Sequence, residues 1–531
     1  MPVSPTYPGV YIEEVASGVR TITGVPTSIT AFVGISARGP VSDPVFINSY
    51  ADYERNFGRL GDDNPMAYSV FQYYQNGGSQ AIIVRIAAGD AAPATITLDT
   101  GGGNPPVVLH ATSSGLWGRQ LRARVDYADA SGTDYNLTVR DMATGEQERY
   151  AKVSLDPNSS RRLDRMLDAS ALVTSAGSLD HRPTNHPDPT APGADPLNPG
   201  GGVTNTYTQA TGGGAGSAIA DGDIIGSEAG KTGMYQLLKT DIFNILVFPP
   251  LGVTELVTTT DGDPALVSNA VLSQALTLCY SRRAMLVVDS PAAWETVQDA
   301  VTGMGSFALS GESAKNAALY FPYLRVTDPD TTKLGRRIDM PPSGAVAGIY
   351  ARTDVQRGVW KAPAGTDASL AGVPELSLKL TDLENGRLNP IGANCLRSFP
   401  IIGRVVWGAR TLRGADVLAD DWKYVPVRRL ALFIEESLYR GTQWVVFEPN
   451  DEPLWGQIRL SVGAFMQNLF RQGAFQGSSA KEAYFVKCDK DTTTQNHINL
   501  GIVNIHVGFA PLKPAEFVII RIQQMAGQVE V

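Results

Sequence analysis

The sequence predicts an α/β chain, α+β overall and multidomain, and three observations carry that expectation. Between Gly233 and Val326 short apolar runs alternate with helical stretches, the pattern of an open, largely parallel sheet. Between about residues 90 and 230 that alternation gives way to β-like pieces joined by glycine-rich segments. Each end of the chain carries a short apolar run set apart by prolines.

Pro2, Pro5 and Pro8 hold the start of the chain extended, because proline fixes φ and has no N–H. Val10–Val15 then reads as a strand with no turn partner beside it. Taken alone it is most simply a strand of the protein's own sheet, although an unpaired strand also suits the sheet edge of a neighbour. Ser28–Gly34 follows Gly24 and Pro26 and marks the start of a domain. Asn64-Pro65 starts a helix with proline at its first position, Met66, Val70, Phe71 and Tyr74 recur at helical spacing, and Asn76-Gly77-Gly78 stops it. Gln80–Ile86 follows as a buried strand.

The β-like pieces begin at Ala94, Pro106, Leu121 and Tyr135, with a short helix expected at Ser160–Leu167. Residues 181–220 are dense in Pro, Gly, Thr and Asn, a composition that packs little core and reads as loop. The region 90–230 is therefore expected as an inserted, peripheral, β-rich domain. The α/β pattern returns with strands at Asp241–Pro249, Ala284–Asp289 and Ala317–Val326 and helices at Asn269–Tyr280 and Trp294–Val301. Pro341–Gly365 reads as loops and turns. Val427, Leu430, Ala431, Ile434 and Leu438 form one helix face, and Leu454, Ile458, Val462, Phe465, Met466 and Leu469 another. Strands are expected from Trp444, from Ala483, over Gly501–Phe509 and over Phe517–Ile522.

The 531 residues suffice for about three domains. Only 18% are charged and the formal net charge is -9, which suits burial in an assembly and argues against nucleic acid as the main partner. No apolar run reaches membrane-spanning length, and the start lacks the pattern of a secretory signal. Cys279, Cys395 and Cys488 form no CxxC pair and are expected as buried free thiols.

Catalytic and ligand-binding patterns fail on inspection. Gly226–Thr232 resembles a phosphate-binding loop but has three residues between its glycines where four are needed, and only Ile224-Ile225 lead into it. Ser478–Lys481 fits SxxK and Lys231-Thr232-Gly233 fits KTG, in the reverse of the order a serine acyl-enzyme uses. His181 and His186 in the low-complexity loop are a weak metal pair. Asp289 ends an α/β strand, where enzymes place acids, but with no companion base it reads as a helix cap. Arg404, Arg410 and Arg413, and Arg428 with Arg429, could meet an acidic partner or be paired internally. No cofactor or metal is expected.

Longer phrases carry a resemblance. Pro8–Val15 (PGVYIEEV), Gly24–Gly34, Ala37–Pro40, Asn76–Ile86, Phe243–Pro249, Ala318–Pro329, Pro341–Gly365, Leu383–Arg397, Arg428–Asp451 and Leu454–Phe470 resemble contractile tail sheath proteins, in the same order. The resemblance is weak only over about 90–230.

It implies a non-enzymatic structural subunit that polymerises around an inner tube and contracts to drive that tube through an envelope. It implies a donor arm at 1–25, an α/β middle domain at 26–89 and 231–380, an outer domain at 90–230, and a core at 381–531 built with both chain ends. Val10, Tyr11, Ile12 and Glu13, and Val518, Ile519, Ile520, Arg521 and Ile522, become strands donated to neighbouring subunits. Arg428 and Arg429 are the expected inner-tube contacts. The implied partners are further copies in a helical stack of hexameric rings, the inner tube protein, and baseplate and tail terminator proteins. No direct contact with nucleic acid and no membrane insertion is implied. Assembly is expected in the bacterial cytoplasm, into a phage tail or an injection-system particle. The different-class alternative is a nucleotide-binding α/β enzyme using the Gly226–Thr232 loop.

Overall fold

The computed structural model describes residues 20–127, 132–200, 202–252 and 266–521. Its centre is an eight-stranded sheet. The strands are β1 (Thr30–Gly34), β2 (Val45–Ile47), β3 (Ala81–Arg85), β4 (Ile245–Val247), β5 (Met285–Asp289), β6 (Ala317–Phe321), β7 (Asn394–Phe399) and β8 (Gly403–Val406). They lie in the order β8-β7-β6-β5-β4-β1-β3-β2. The six inner strands are parallel, and β2 and β8 close the two edges antiparallel. Most of the inner strands are apolar on both faces because helices cover both.

On one face lie α1 (Pro65–Gln75) and α2 (Ser343–Arg357), packed on Phe32, Ile83, Val247, Val287 and Tyr320. On the other, the helices Asn269–Ser281 and Val297–Gly305 cover Val33, Val84, Leu246, Leu286 and Leu319. Pro65 does occupy the first turn of its helix. The second helix starts later than its apolar spacing suggests, because Thr296 and Asp299 form a reciprocal cap and Trp294 stays outside.

α2 corrects the expectation of loops over Pro341–Gly365. Its glycines are contact points. A Cβ on Gly344 would fall on the carbonyl of Ser69, and one on Gly348 on the carbonyl of Tyr73. Small residues four apart thus let the α2 backbone lie against α1. The expected strand Ala317–Val326 is also two strands. It breaks at Pro322, and Leu324–Thr327 leaves to pair with Arg337–Met340 and Glu375–Leu376 in a separate antiparallel sheet. No strand forms from Trp444: Gln443–Val445 is a tight helical turn, and Val446 and Phe447 are exposed. The chain there has only a few residues in which to turn from one helix into the next.

Residues 92–214 form two four-stranded antiparallel sheets. They share a core of Ile96, Leu98, Leu109, Leu121, Val125, Leu137 and Val139, separate from the cores of the eight-stranded sheet. Among the described residues of 181–207 there is no helix or strand, yet the segment is fastened to this unit. Tyr127 donates its hydroxyl to Pro183 O, and Arg124 donates to Pro187 O and Thr206 O.

The C-terminal unit packs α3 (Val425–Gly441) and α4 (Glu452–Arg471) through Leu430, Ile434, Leu454, Ile458, Val462, Phe465 and Met466. Asp451 caps α4 by accepting from Leu454 N. Ile22 is buried in the same core, so the start of the described chain lies on helices more than 400 residues away. The α/β sheet takes in β7 and β8, and so runs past the boundary expected at residue 380.

In an open helix, Gly→Ala gains up to about 1 kcal/mol. Gly348→Ala is expected instead to cost about 1–3 kcal/mol, because its methyl group meets the α1 backbone. Urea unfolding of the two proteins measures the difference.

Candidate functional site

The features built for recognition are at the chain ends. Strands β9 (Tyr484–Lys487) and β10 (His506–Phe509) pair antiparallel, with Val486 opposite Val507. Tyr484, Val486, Val507 and Phe509 rest against the α4 core. Among the described residues no third strand joins this pair, so it presents two unpaired edges. Two-stranded sheets are marginal alone, and free edges invite another chain.

Beyond β10 the chain stays with the C-terminal unit as far as Pro511. Ala510 N donates to Ala483 O, Gln476 N donates to Ala510 O, and Pro511 bridges to Phe475. Residues 512–516 then cross to the α/β unit over a cavity of about 630 Å³ lined by Trp360, Trp407 and Tyr424. There the Glu516 carboxylate accepts two bonds from the buried Arg410 guanidinium, at 2.8 and 2.6 Å, and a third from the Tyr424 hydroxyl at 3.1 Å. Burial pushes the Glu516 carboxyl up, and these bonds outweigh it, leaving it below the usual glutamate value. Phe517, Val518, Ile519 and Ile520 follow with 73–81% exposure and no strand partner among the described residues. Four consecutive large apolar side chains in water are unusual for an isolated subunit.

Of the expected donor residues, Val518, Ile519, Ile520 and Arg521 therefore lie exposed in an extended tail, while Ile522 and Val10, Tyr11, Ile12 and Glu13 fall outside the described residues. The N-terminal stretch is described from Arg20. The Arg20 guanidinium lies 4.6 Å from the Trp444 ring centroid, and the Arg20 backbone N–H donates to Ser461 Oγ. Both ends thus leave the fold from the C-terminal unit or its border with the sheet.

Arg428 and Arg429 correct an expectation. They face into the subunit, with side chains 5% and 3% exposed. Arg429 donates to both Asp354 oxygens, at 2.8 and 2.6 Å, and to Thr27 O, while the Thr27 hydroxyl donates to the same carboxylate. Arg428 binds Asn316 Oδ1 and Glu435 Oε1. These arginines tie α3 to the rest of the fold and are occupied there, so no contact with another protein is assigned to them. Arg413 is likewise paired with Asp420.

Among the described residues, the groups that suggested an enzyme are engaged locally. Gly226–Thr232 follows a short helix, not a strand, and closes on itself, with Ser227 N donating to the Thr232 hydroxyl. At the carboxyl ends of β1 and β4, where the strand order reverses and α/β enzymes bind ligands, Pro249 and Met66 pack over Gly34. Ser478 Oγ donates to Glu482, in a local turn. His186 spends both ring nitrogens, on Val125 N and the Thr208 hydroxyl. Asp289 caps α2, accepting from Ser343 N at 2.8 Å and Ser343 Oγ at 2.6 Å. Burial pushes its carboxyl up to about 7 against those two bonds.

The Arg410–Glu516 contact was not legible in sequence, because its partners are 106 residues apart.

Two family models match the chain: "phage tail sheath protein central domain" over residues 238–412 and "phage tail sheath C-terminal domain" over residues 419–525, together more than half of it. The tail sheath protein of Vibrio phage KVP40 is 28% identical over 131 residues, 24% of this chain and 19% of that one. A putative prophage major tail sheath protein of Pseudomonas aeruginosa (strain UCBPP-PA14) is 25% identical over 243 residues, 45% of this chain and 57% of that one. The matches thus span less than two thirds of either relative. The helical sheath of the anti-feeding prophage in its contracted state shares the fold, at TM-score 0.59 and 23% identity, over 98% of this chain and 100% of that one.

Asp354→Ala leaves Arg429 buried without its carboxylate and is expected to cost about 3–5 kcal/mol in urea unfolding. Asp289 gives a pH signature. Its unfolded-state carboxyl ionises near the ordinary value and its folded-state carboxyl near 7, so its contribution to stability falls as pH rises across that window. Asp289→Asn is expected to remove that fall, read as the difference between the two proteins' urea midpoints at several pH values from acid to neutral.

Proposed function

The chain belongs to the phage tail sheath family, and from that premise we propose that it is the repeating subunit of a contractile sheath. One observation supports this reading most directly: a two-stranded sheet with two free edges in the same subunit as an exposed, apolar, extended tail. Residues 518–522 of one copy, and residues 10–13 of another, would add strands to those edges. Main-chain ladders give the affinity in such additions, and alternate side chains give the register. A donor and an acceptor on different faces of one chain make a head-to-tail contact, which propagates without closing on itself.

The sheath so built is a helical stack of hexameric rings around an inner tube protein, ended by baseplate and terminator proteins. Its contraction is a rigid-body rearrangement of subunits that stay linked through their donated strands. The extended form is held by a kinetic barrier. The subunit performs no catalysis: its polar clusters are spent on capping and on tying elements together. It is assembled in the bacterial cytoplasm and becomes part of a particle. Whole-chain likeness to the anti-feeding prophage sheath favours an injection-system particle as a second setting beside a phage tail.

The purified full-length protein is expected to form long striated tubes in negative-stain electron microscopy, alone or with its inner tube protein. A version lacking residues 1–19 and a version ending at Glu516 are each expected to stay dispersed. Tubes from both truncations would remove strand donation. Dispersed full-length protein, with the inner tube protein present, would remove the sheath reading.

A further inference from the structure

The socket that holds Glu516 is built from residues outside the C-terminal tail. Arg410 is fully buried. Its backbone is fixed by Asn394, whose side chain both accepts from Arg410 N and donates to Arg410 O. Its Nη1 is held by Asn389 O, Gly414 O and Asp416 Oδ1, at 2.9, 3.1 and 2.9 Å. Gly414 lies close against the base of the Arg410 side chain, where a Cβ would sit 2.7 Å from Arg410 Cβ. Every one of these groups lies between residues 389 and 416, within the α/β unit or on its border. Only Nε and Nη2 point outward, as a planar fork, and that fork takes the carboxylate side-on.

The segment that delivers Glu516 is otherwise loose. Among the described residues, 512–521 make no backbone hydrogen bond. Residues 512–515 span the cavity of about 630 Å³, with Lys513 and Pro514 on its rim. Five residues beyond Pro511 reach about 17 Å when extended. Without Glu516, the start of the apolar tail could lie anywhere within that radius.

We propose that Arg410 and Glu516 are positioning residues for assembly: their bidentate pair clasps the C-terminal tail to the α/β unit and fixes the point and direction from which residues 517–521 leave the subunit. This rests on the strand-donation reading above. A donated strand must arrive in register, because a slip of one residue turns every side chain to the opposite face. A fixed origin also raises the effective concentration of the tail at its acceptor, since slack in a tether dilutes it. The clasp makes the working tether the few residues after Glu516, not the whole run from Pro511.

Full-length protein with four changes tests this, read as the critical concentration for tube formation by sedimentation and microscopy. Glu516→Gln keeps the size of the side chain and loses its charge. Glu516→Lys sets a cation against Arg410. Two versions carry the same Gly-Ser-Gly insertion, one after Lys513, upstream of the clasp, and one after Glu516, downstream of it. Glu516→Gln and the downstream insertion are expected to raise the critical concentration about tenfold, and Glu516→Lys more. The upstream insertion is expected to leave it within about twofold, because the clasp still sets the origin of the tail. Thermal midpoints of the dispersed proteins separate assembly from folding, and the two insertion proteins are expected to match there. Equal defects from the two insertions, or an unchanged critical concentration for Glu516→Gln, would overturn the clasp. Tubes that survive removal of residues 517–531 would overturn the donation reading beneath it. Failure of the unmodified protein to form tubes with its inner tube protein would overturn the sheath reading itself.

Discussion

The bond between Arg429 and Asp354 joins parts of the chain that share no strand or helix. Arg429 stands on α3 in the C-terminal unit, Asp354 on α2 in the α/β unit, and Thr27 on the stretch that leads from the N-terminal side into β1. The Arg429 and Asp354 side chains meet almost fully buried, with the guanidinium 4.7 Å from the Tyr350 ring centroid. A buried pair of this kind gives little net stability against an apolar alternative, but it cannot be half-made without leaving a charge unpaired. It therefore enforces one arrangement of three segments. The start of β1, the seat of α2 and the angle of α3 all follow from it, and with α3 the position of the two-stranded sheet.

Elements whose identity is local were legible in the sequence. Pro65 opens α1, Asp451 caps α4, and Val271, Leu272, Ala275, Leu276 and Cys279 face inward from one helix as their spacing requires. What escaped was decided by distant partners. Ser343–Arg357 contains glycines that ordinarily break helices, yet they are there because another backbone lies against them. The spacing of Gly344 and Gly348, four residues apart with small residues around them, was the available signal. The adjacent Arg428 and Arg429 suggested a charged surface. In the fold they point to separate internal partners, and no local pattern separates a paired arginine from a free one. Asp289 was read as a cap, and it caps a helix 54 residues on, which no spacing could have named.

The candidate site divides along the same line. The apolar tail stands out in sequence because prolines isolate it, and in the fold because no described residue covers it. Its anchoring does not stand out, since Glu516 is one acidic residue among many and Arg410 one arginine of a cluster. The enzyme-like patterns fail in sequence on loop length and motif order, and among the described residues their polar groups have internal partners. The polar groups that could have formed a site are each consumed locally: Thr232 within its own turn, His186 by the strand beneath it, Ser478 by Glu482.

The unit of residues 92–214 is joined to the eight-stranded sheet in a way that bears on what each part can withstand. Its first strand begins at Ala92 and its last ends at Gly214, and these two residues are partners across one antiparallel ladder. The chain therefore departs and returns side by side, like the two wires of a plug. The N-terminal stretch is hydrogen-bonded to α3 and α4 through Val25 N and Arg20 N, so a pull applied between it and the tail has a route through those helices that does not enter the two sheets of residues 92–214. Those two sheets lie off that route and have a core of their own, so a change of size or chemistry on their surface leaves the core of α3 and α4 untouched.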